Sequence, residues 1–468
     1  MTNLSIDDYS RKSNDFENSL DDNYKKKNGI FYTDVQLSMN IISYLNIDAD
    51  SIVVDPCCGA GSFLYAAILN NCKHVYGADL IDEAINVCKD LTGLSSIEKY
   101  DTLGHTGHEI LSALDLKEKA DYIIGNPPYV TMDKDTAIST EDCSFLQSVK
   151  NSGGNFFVAA IYRAFELAKD NGCISYVVPK NFLHVKAYSH LRNIILNNKR
   201  IISIIDLNSY FSGVRGEQIV LTLQNTFKTD NEISIMKLEK GKFIEQCVIP
   251  QSFYTDEILL FKSEEEYSIY RKMQRSYKKI SDICQGYIGR GRSTSPQAIK
   301  GKDIQKFGFK DREVPNAGNQ IFIQNIYSTE SGIIASFAGD YEASQTVTIL
   351  TDSDKNACRY ILGILHSRLC NFWLYKFCYN SSKLTMHTDR KYLETIPLVK
   401  DDESDEFLQI VDLVTRLETL DYMSSDWFSM LDDINQLVYK IYKINSKEAA
   451  YIDAEIRSIQ SEKWSGNK

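Results

Sequence analysis

Asn126-Pro127-Pro128-Tyr129 directly follows the apolar run Asp121-Tyr122-Ile123-Ile124-Gly125. A side-chain amide oxygen and an adjacent main-chain carbonyl form two fixed acceptors. That pairing suits one chemical task, which is to make a ring-conjugated amine nucleophilic. In such an amine, the N6 of adenine for example, the lone pair is delocalised into the ring. If the Asn126 side-chain oxygen and the Pro127 carbonyl bind its two hydrogens, an sp³ nitrogen with a free lone pair is favoured. Pre-organised groups of this kind usually supply the largest catalytic term. Pro127 and Pro128 stiffen the turn, and Tyr129 offers a flat face to a base taken out of its stack. The alternative is a plain strand-ending turn, since Asn-Pro favours turns. With only 8 prolines in 468 residues, chance formation of this tetrapeptide is rare.

Upstream lies Ser51-Ile52-Val53-Val54-Asp55-Pro56-Cys57-Cys58-Gly59-Ala60-Gly61-Ser62-Phe63. This reads as a short apolar strand, an acid, a glycine turn and a helix from about Ser62 to Asn70. Glycines allow close backbone approach to a ligand, and the helix start supplies donors. A dinucleotide site wants a third glycine to seat a pyrophosphate, and here that place is Leu64. With Asp55 leading in, the turn suits a ligand with an ammonium and a sulfonium, such as S-adenosylmethionine. A second strand, Lys73 to Ala78, ends at Asp79, placed to hold ribose hydroxyls. A third, near Ile97 to Tyr100, ends at Asp101, which is placed to accept from an adenine amine. Any one of these acids alone reads equally well as a helix cap. Three at the ends of successive strands line the sheet edge where open α/β folds bind ligands.

Asp55-Pro56-Cys57-Cys58-Gly59-Ala60-Gly61 followed by Asn126-Pro127-Pro128-Tyr129 resembles the gamma-class, TaqI-type DNA adenine-N6 methyltransferases of restriction-modification systems. Gly29-Ile30-Phe31-Tyr32-Thr33-Asp34-Val35-Gln36 matches a further segment of that class, and Thr33 with Gln36 reads as a capping box. The resemblance implies S-adenosylmethionine as cofactor, with Thr33 near its methionine end and Asp55 near its amino group. Cys57, Gly59 and Gly61 fall in the cofactor turn. Asp79 is implied at the ribose, and Ile81 and Asp101 about the adenine. It further implies that an aromatic residue before the strand Ile219–Leu223 stacks on the flipped base opposite Tyr129. That role falls to Phe211, with Tyr210 adjacent. The likeness covers roughly residues 29–228.

Composition sets outer bounds. An apolar content of 43% over 468 residues accommodates two domains with sizeable cores. No stretch reads as a signal peptide or membrane span, so a cytoplasmic protein is expected. The 11 cysteines lack Cys-x-x-Cys spacing, which fits free thiols and gives no metal site. Cys57 and Cys58 sit in the glycine turn and read as packing, not as nucleophiles. The net charge of −11 is unfavourable for a nucleic-acid binder, yet a local basic cleft suffices. The stretch 288–312 holds Arg290, Arg292, Lys300, Lys302, Lys306, Lys310 and Arg312 against Asp303 and Asp311, seven minus two, or +5. Its alternative reading is a solvated basic loop.

The elements that must position these residues follow from the pattern. Residues 1–28 are polar, end in Lys25-Lys26-Lys27, and read as a loosely ordered leader. Strand and helix signals then alternate, as in a doubly wound, mostly parallel Rossmann-like sheet. The expected fold is a class I methyltransferase domain over 29–255 and a C-terminal α+β target recognition domain over 256–468. Thr131 to Gly154 reads as a lid loop. Asn155 caps a helix stopped by Gly172, and helices are expected over 404–420 and 426–444. Ile280 to Gly289 and Leu362 to Leu369 bear a weaker likeness to target recognition domains. The function expected is methylation of adenine N6 in duplex DNA, by a monomer without metal, alongside a cognate restriction endonuclease encoded separately. The alternatives are a methyltransferase for RNA adenine or protein glutamine, and a non-catalytic specificity subunit.

Overall fold

The structure is a computed structural model. It describes residues 4–21, 24–25, 33–132, 154–208, 210–211, 216–227, 230–274, 278–283, 286–379, 386–388 and 390–465. The chain divides into two compact units, Met1–Glu264 and Glu265–Lys468.

In the first unit, helix α1 (Ile6–Ser19) precedes α2 (Val35–Leu45), β1 (Ile52–Asp55), α3 (Ser62–Leu69), β2 (His74–Asp79), α4 (Asp82–Thr92) and β3 (Ile97–Lys99). Then come α5 (Gly107–Ala113), β4 (Ala120–Gly125), α6 (Phe156–Leu167), β5 (Ala168–Pro179) and α7 (Ser189–Asn198). Strands β6 (Arg200–Asp206), β7 (Gln218–Gln224), β8 (Glu232–Glu239) and β9 (Lys242–Pro250) complete it. All nine strands form one sheet in the order β3-β2-β1-β4-β5-β7-β6-β8-β9. Strands β3, β2, β1, β4 and β5 pair in parallel, and β7 runs antiparallel between β5 and β6. This is the class I methyltransferase sheet, extended by the β8–β9 pair. Its central strands are buried on both faces, which is why Ile-Val-Val and Ile-Ile runs occur instead of an alternating pattern. Chain order reverses between β1 and β4, so their carboxyl ends flank the switch point where such sheets bind ligands.

Three local expectations change. The leader contains α1, whose Tyr9 is 1% exposed and packs with Val35, Tyr65 and Leu91. A mostly polar helix needs only one such apolar anchor to dock, and periodicity does not reveal that. The α2 cap is Asp34, whose side chain accepts from the Leu37 amide, so the Thr33–Gln36 capping box does not form and Thr33 is left for other work. Helix α6 is capped by Asn155 as expected, but it ends at Leu167, ahead of Gly172. Asn225 Nδ2 binds the carbonyls of Phe165, Ala168 and Lys169, closing the helix from a distant strand end.

The first unit also extends past residue 255. Arg192 is fully buried on its side chain and donates to the carbonyls of Phe182 and Val185 and to Asp256. The Ile258 amide binds the Leu183 carbonyl, and Phe261 is buried.

The second unit holds an antiparallel sheet of β10 (Ile288–Arg290), β11 (Gln320–Gln324), β12 (Ala335–Phe337) and β13 (Val347–Thr351). Their spatial order is β10-β13-β11-β12. Helices α8 (Lys355–His366), α9 (Arg368–Trp373), α10 (Asp405–Leu417), α11 (Ser425–Ile441) and α12 (Ser446–Ser465) follow. One apolar core joins this sheet to the helices, including Ile321, Ile361, Phe372, Ile410 and Ile434. The region expected to be α+β is so built, with α10 inside the first expected helical stretch and α11 starting one residue ahead of the second. Among the described residues no helix is long and apolar enough to cross a membrane.

Candidate active site

At the switch point, β1 ends in Asp55 and the adjacent β4 ends in Gly125. Gly125 has φ +146°, and a Cβ there would lie 2.6 Å from Asp55 Oδ1. Glycine is therefore what lets the carboxylate rest against β4. Asp55 is 1% exposed, and among the described residues only the Cys57 amide reaches it, at 3.1 Å. Burial pushes its carboxyl up to about 8, against the Cys57 hydrogen bond and with help from nearby Asp79. In β5, Tyr176 is the register partner of Gly125. Its buried hydroxyl has no hydrogen-bond partner among the described residues, and burial, then Cys57 and Asp55, push the phenol up. A buried carboxyl with a spare oxygen beside an orphaned hydroxyl could receive a cationic group, which would favour its ionised form.

The glycine turn wraps over this floor. Gly59 and Gly61 have φ of 53° and 87°, and a Cβ on Gly61 would strike Cys88 Sγ at 2.3 Å. Asp79 fastens the turn to the end of β2: its Oδ2 accepts from the Gly59 amide at 2.8 Å and its Oδ1 from Ile81 at 3.0 Å. Each carboxylate oxygen keeps a second lone pair for another donor. Asp101 closes its own turn by accepting from the amides of Leu103 and Gly104. Thr102 donates to the Pro56 carbonyl at 2.7 Å, and Cys57 Sγ lies 3.9 Å from Thr102 Oγ1. Burial holds the Cys57 thiol well above its ordinary range, so it is no nucleophile.

Asn126 follows Gly125, and its amide is held at both ends. Nδ2 donates to Thr33 Oγ1 at 3.1 Å, while Oδ1 accepts from the Tyr129 hydroxyl at 2.5 Å. The same hydroxyl lies 3.0 Å from the Val177 carbonyl. Asn155, the α6 cap, also donates to the Tyr129 carbonyl at 2.8 Å, and Phe157 meets the Tyr129 ring edge-on. Among the described residues no donor reaches the Pro127 carbonyl. Pro128 is half-buried beside it. Phe211 packs against the first unit's apolar core, whereas neighbouring Tyr210 is 37% exposed. Burial, then Asp34, raises the Tyr210 phenol. Residues 212–215, most of the Thr131–Gly154 loop, and Gly29 to Tyr32 lie outside the described residues.

In the second unit Arg290, at the end of β10, is exposed, as are Arg292, Lys300 and Lys302. Lys306 differs: it is partly buried, and burial lowers its ammonium to about 8.

The structure brings Thr33 to Asn126 and Asp79 to the glycine turn that follows Asp55, and it adds Tyr176 and Tyr9, which the sequence did not single out. Tyr176 lies in an apolar strand run and becomes visible only once β5 is registered against Gly125. Asn155 was read as a cap, and its hold on Tyr129 required the fold.

The strand order and the antiparallel β7 define the class I methyltransferase architecture. The model of the Eco57I restriction-modification methylase family matches residues 69–211. The chain is 28% identical over 248 residues to the type II methyltransferase M.VspI of Vibrio sp. (strain 343), covering 48% of this chain and 58% of that protein. It is 21% identical over 201 residues to the modification methylase CviBIII of Paramecium bursaria Chlorella virus NC1A, covering 41% and 48% respectively. A solved type I restriction-modification methyltransferase subunit from Streptococcus thermophilus superposes with a TM-score of 0.37 at 19% identity, over 52% of this chain and 56% of that one. The chain spans about half the length of the curated relatives it matches. The resemblance to restriction-modification methyltransferases is borne out over the stretch that carries Asp79, Asp101 and Asn126.

Proposed function

We propose that this chain is an S-adenosylmethionine-dependent DNA methyltransferase that modifies the N6 of an adenine flipped from duplex DNA. The carrying observation is the Asn126 amide, clamped by Thr33 and Tyr129 one residue beyond the glycine that abuts Asp55. The site residues fit S-adenosylmethionine. Asp55 and the unpartnered Tyr176 hydroxyl suit its ammonium, and Asp79 retains lone pairs for two hydroxyls. Ile81 and Asp101 flank the expected adenine position. When bound, this group supplies an activated methyl on sulfur.

The chain's own residues do the rest. Thr33 fixes the Asn126 amide so that its oxygen, not its NH2, faces the incoming amine. An amide oxygen has two lone pairs, so Oδ1 accepts from Tyr129 and from one amine hydrogen together. The Pro127 carbonyl takes the second hydrogen. Tyr129 and Tyr210 or Phe211 provide aromatic faces for the extruded base, whose unstacking costs a few kcal/mol. The exposed Arg290, Arg292, Lys300 and Lys302 would neutralise DNA phosphates. The names of the relatives support this setting, and a separately encoded endonuclease would complete such a system.

The test is methyl transfer by the purified full chain to plasmid DNA, with modified bases located by direct sequencing. N6-methyladenine at one recurring sequence supports the reading. Methylation of ribosomal RNA or of protein, with DNA untouched, would overturn it. Cofactor binding without any transfer would favour a specificity subunit.

A further inference from the structure

Helix α1 reaches the glycine turn through Tyr9. The Tyr9 hydroxyl donates to the Ala60 carbonyl at 2.9 Å, between Gly59 and Gly61. The Tyr9 ring stacks on Tyr65 of α3 with centroids 4.1 Å apart and planes 16° from parallel. Tyr65 in turn donates to the Leu4 carbonyl at 2.8 Å, holding the start of the helix.

The Ala60 carbonyl and the Gly61 amide belong to one planar peptide unit, so fixing one orients the other. That amide donates to the Cys58 carbonyl at 2.8 Å, which closes the turn. With Gly61 at φ 87° the peptide lacks the side-chain restraint that would otherwise prevent it from flipping. Ala60 is 1% exposed, so water does not compete for its carbonyl.

We propose that Tyr9 is a positioning residue for the cofactor: its hydroxyl locks the Ala60–Gly61 peptide in the orientation that the methyl donor requires. This rests on the reading of Gly59–Gly61 as the cofactor turn. The N-terminal helix is thus a working part of the site, acting through the main chain of the turn and not through contact with ligand.

The experiment is Tyr9→Phe in the full chain, which keeps the ring and its stack but removes the donor. Its affinity for S-adenosylhomocysteine, measured by calorimetry, should fall about five- to tenfold, the range expected for one lost buried hydrogen bond. Hydrogen exchange at the Gly61 amide should quicken, and the methylation rate at saturating cofactor should stay near that of the unaltered protein. Tyr65→Phe is the control, because it loosens the helix start but leaves the Ala60 carbonyl held; its affinity should stay within about twofold. An unchanged affinity in Tyr9→Phe, or equal losses in both variants, would overturn the lock. Failure of the unaltered protein to bind would instead overturn the cofactor reading itself.

Discussion

The Tyr129 hydroxyl lies 2.5 Å from the side-chain oxygen of Asn126, the atom on which the proposed chemistry turns, and 3.0 Å from the Val177 carbonyl, so its one hydrogen serves two acceptors. Burial holds that phenol well above its ordinary range, so it remains a donor throughout the working pH range. The amide is therefore pre-oriented without substrate, and little reorganisation remains at the moment of reaction.

Replacing Asn126 by Ala removes one of the two acceptors for the amine. Single-turnover methyl transfer should fall at least about a hundredfold, while cofactor affinity changes only a few-fold. A variant retaining near-normal single-turnover rates would remove Asn126 from the mechanism.

Asp55 sets a pH dependence. Its folded carboxyl sits at about 8 against an ordinary 3.8, so the folded chain holds a proton that the unfolded chain has lost. That contribution to stability is full below the ordinary value and disappears as pH rises through about 8. A cationic ligand reverses the preference by favouring the carboxylate, so binding should release protons between pH 6 and 8. Calorimetry in buffers of different ionisation heat measures this. Asp55→Asn should abolish that share of the release, and an identical proton count in both proteins would refute the assignment.

Gly61→Ala places a methyl 2.3 Å from Cys88 Sγ at a φ of 87°. Backbone strain alone costs about 1–3 kcal/mol, and the collision adds to it. The denaturation midpoint should drop clearly. Cys88→Ala in the same chain should recover part of the loss, because it removes the struck atom but not the strain.

Arg290 and Arg292 are exposed in the second unit. If both meet phosphates, replacing both with Gln should weaken DNA binding at low salt. The slope of log affinity against log salt should become shallower by about two. A slope equal to that of the unaltered protein would move the binding face elsewhere.

Much of the first unit was legible because its signals are local. Ile52 to Asp55 reads as a strand ending in an acid, and Asn126 to Tyr129 reads as a rigid turn, whatever surrounds them. The rest depends on partners distant in sequence. Asn225 ends α6 from the far end of β7, and nothing near Leu167 announces it. Tyr176 acquires meaning only when β5 pairs with β4. Helix α1 was hidden because a single buried ring, Tyr9, anchors an otherwise polar segment. The capping role read for Thr33 falls to Asp34, which leaves the Thr33 hydroxyl to hold Asn126.

The buried Arg192 guanidinium governs how this molecule can be cut. Its anion, Asp256, lies beyond the residue where composition placed the junction, so a fragment stopping at 255 would keep the cation and discard its counter-charge. Asp256 is partly exposed, so solvent screens the pair, yet the loss would still leave a fully buried cation held only by the Phe182 and Val185 carbonyls. Dissection into independently expressed halves should therefore respect the boundary after Glu264, which keeps Arg192 and Asp256 on one fragment.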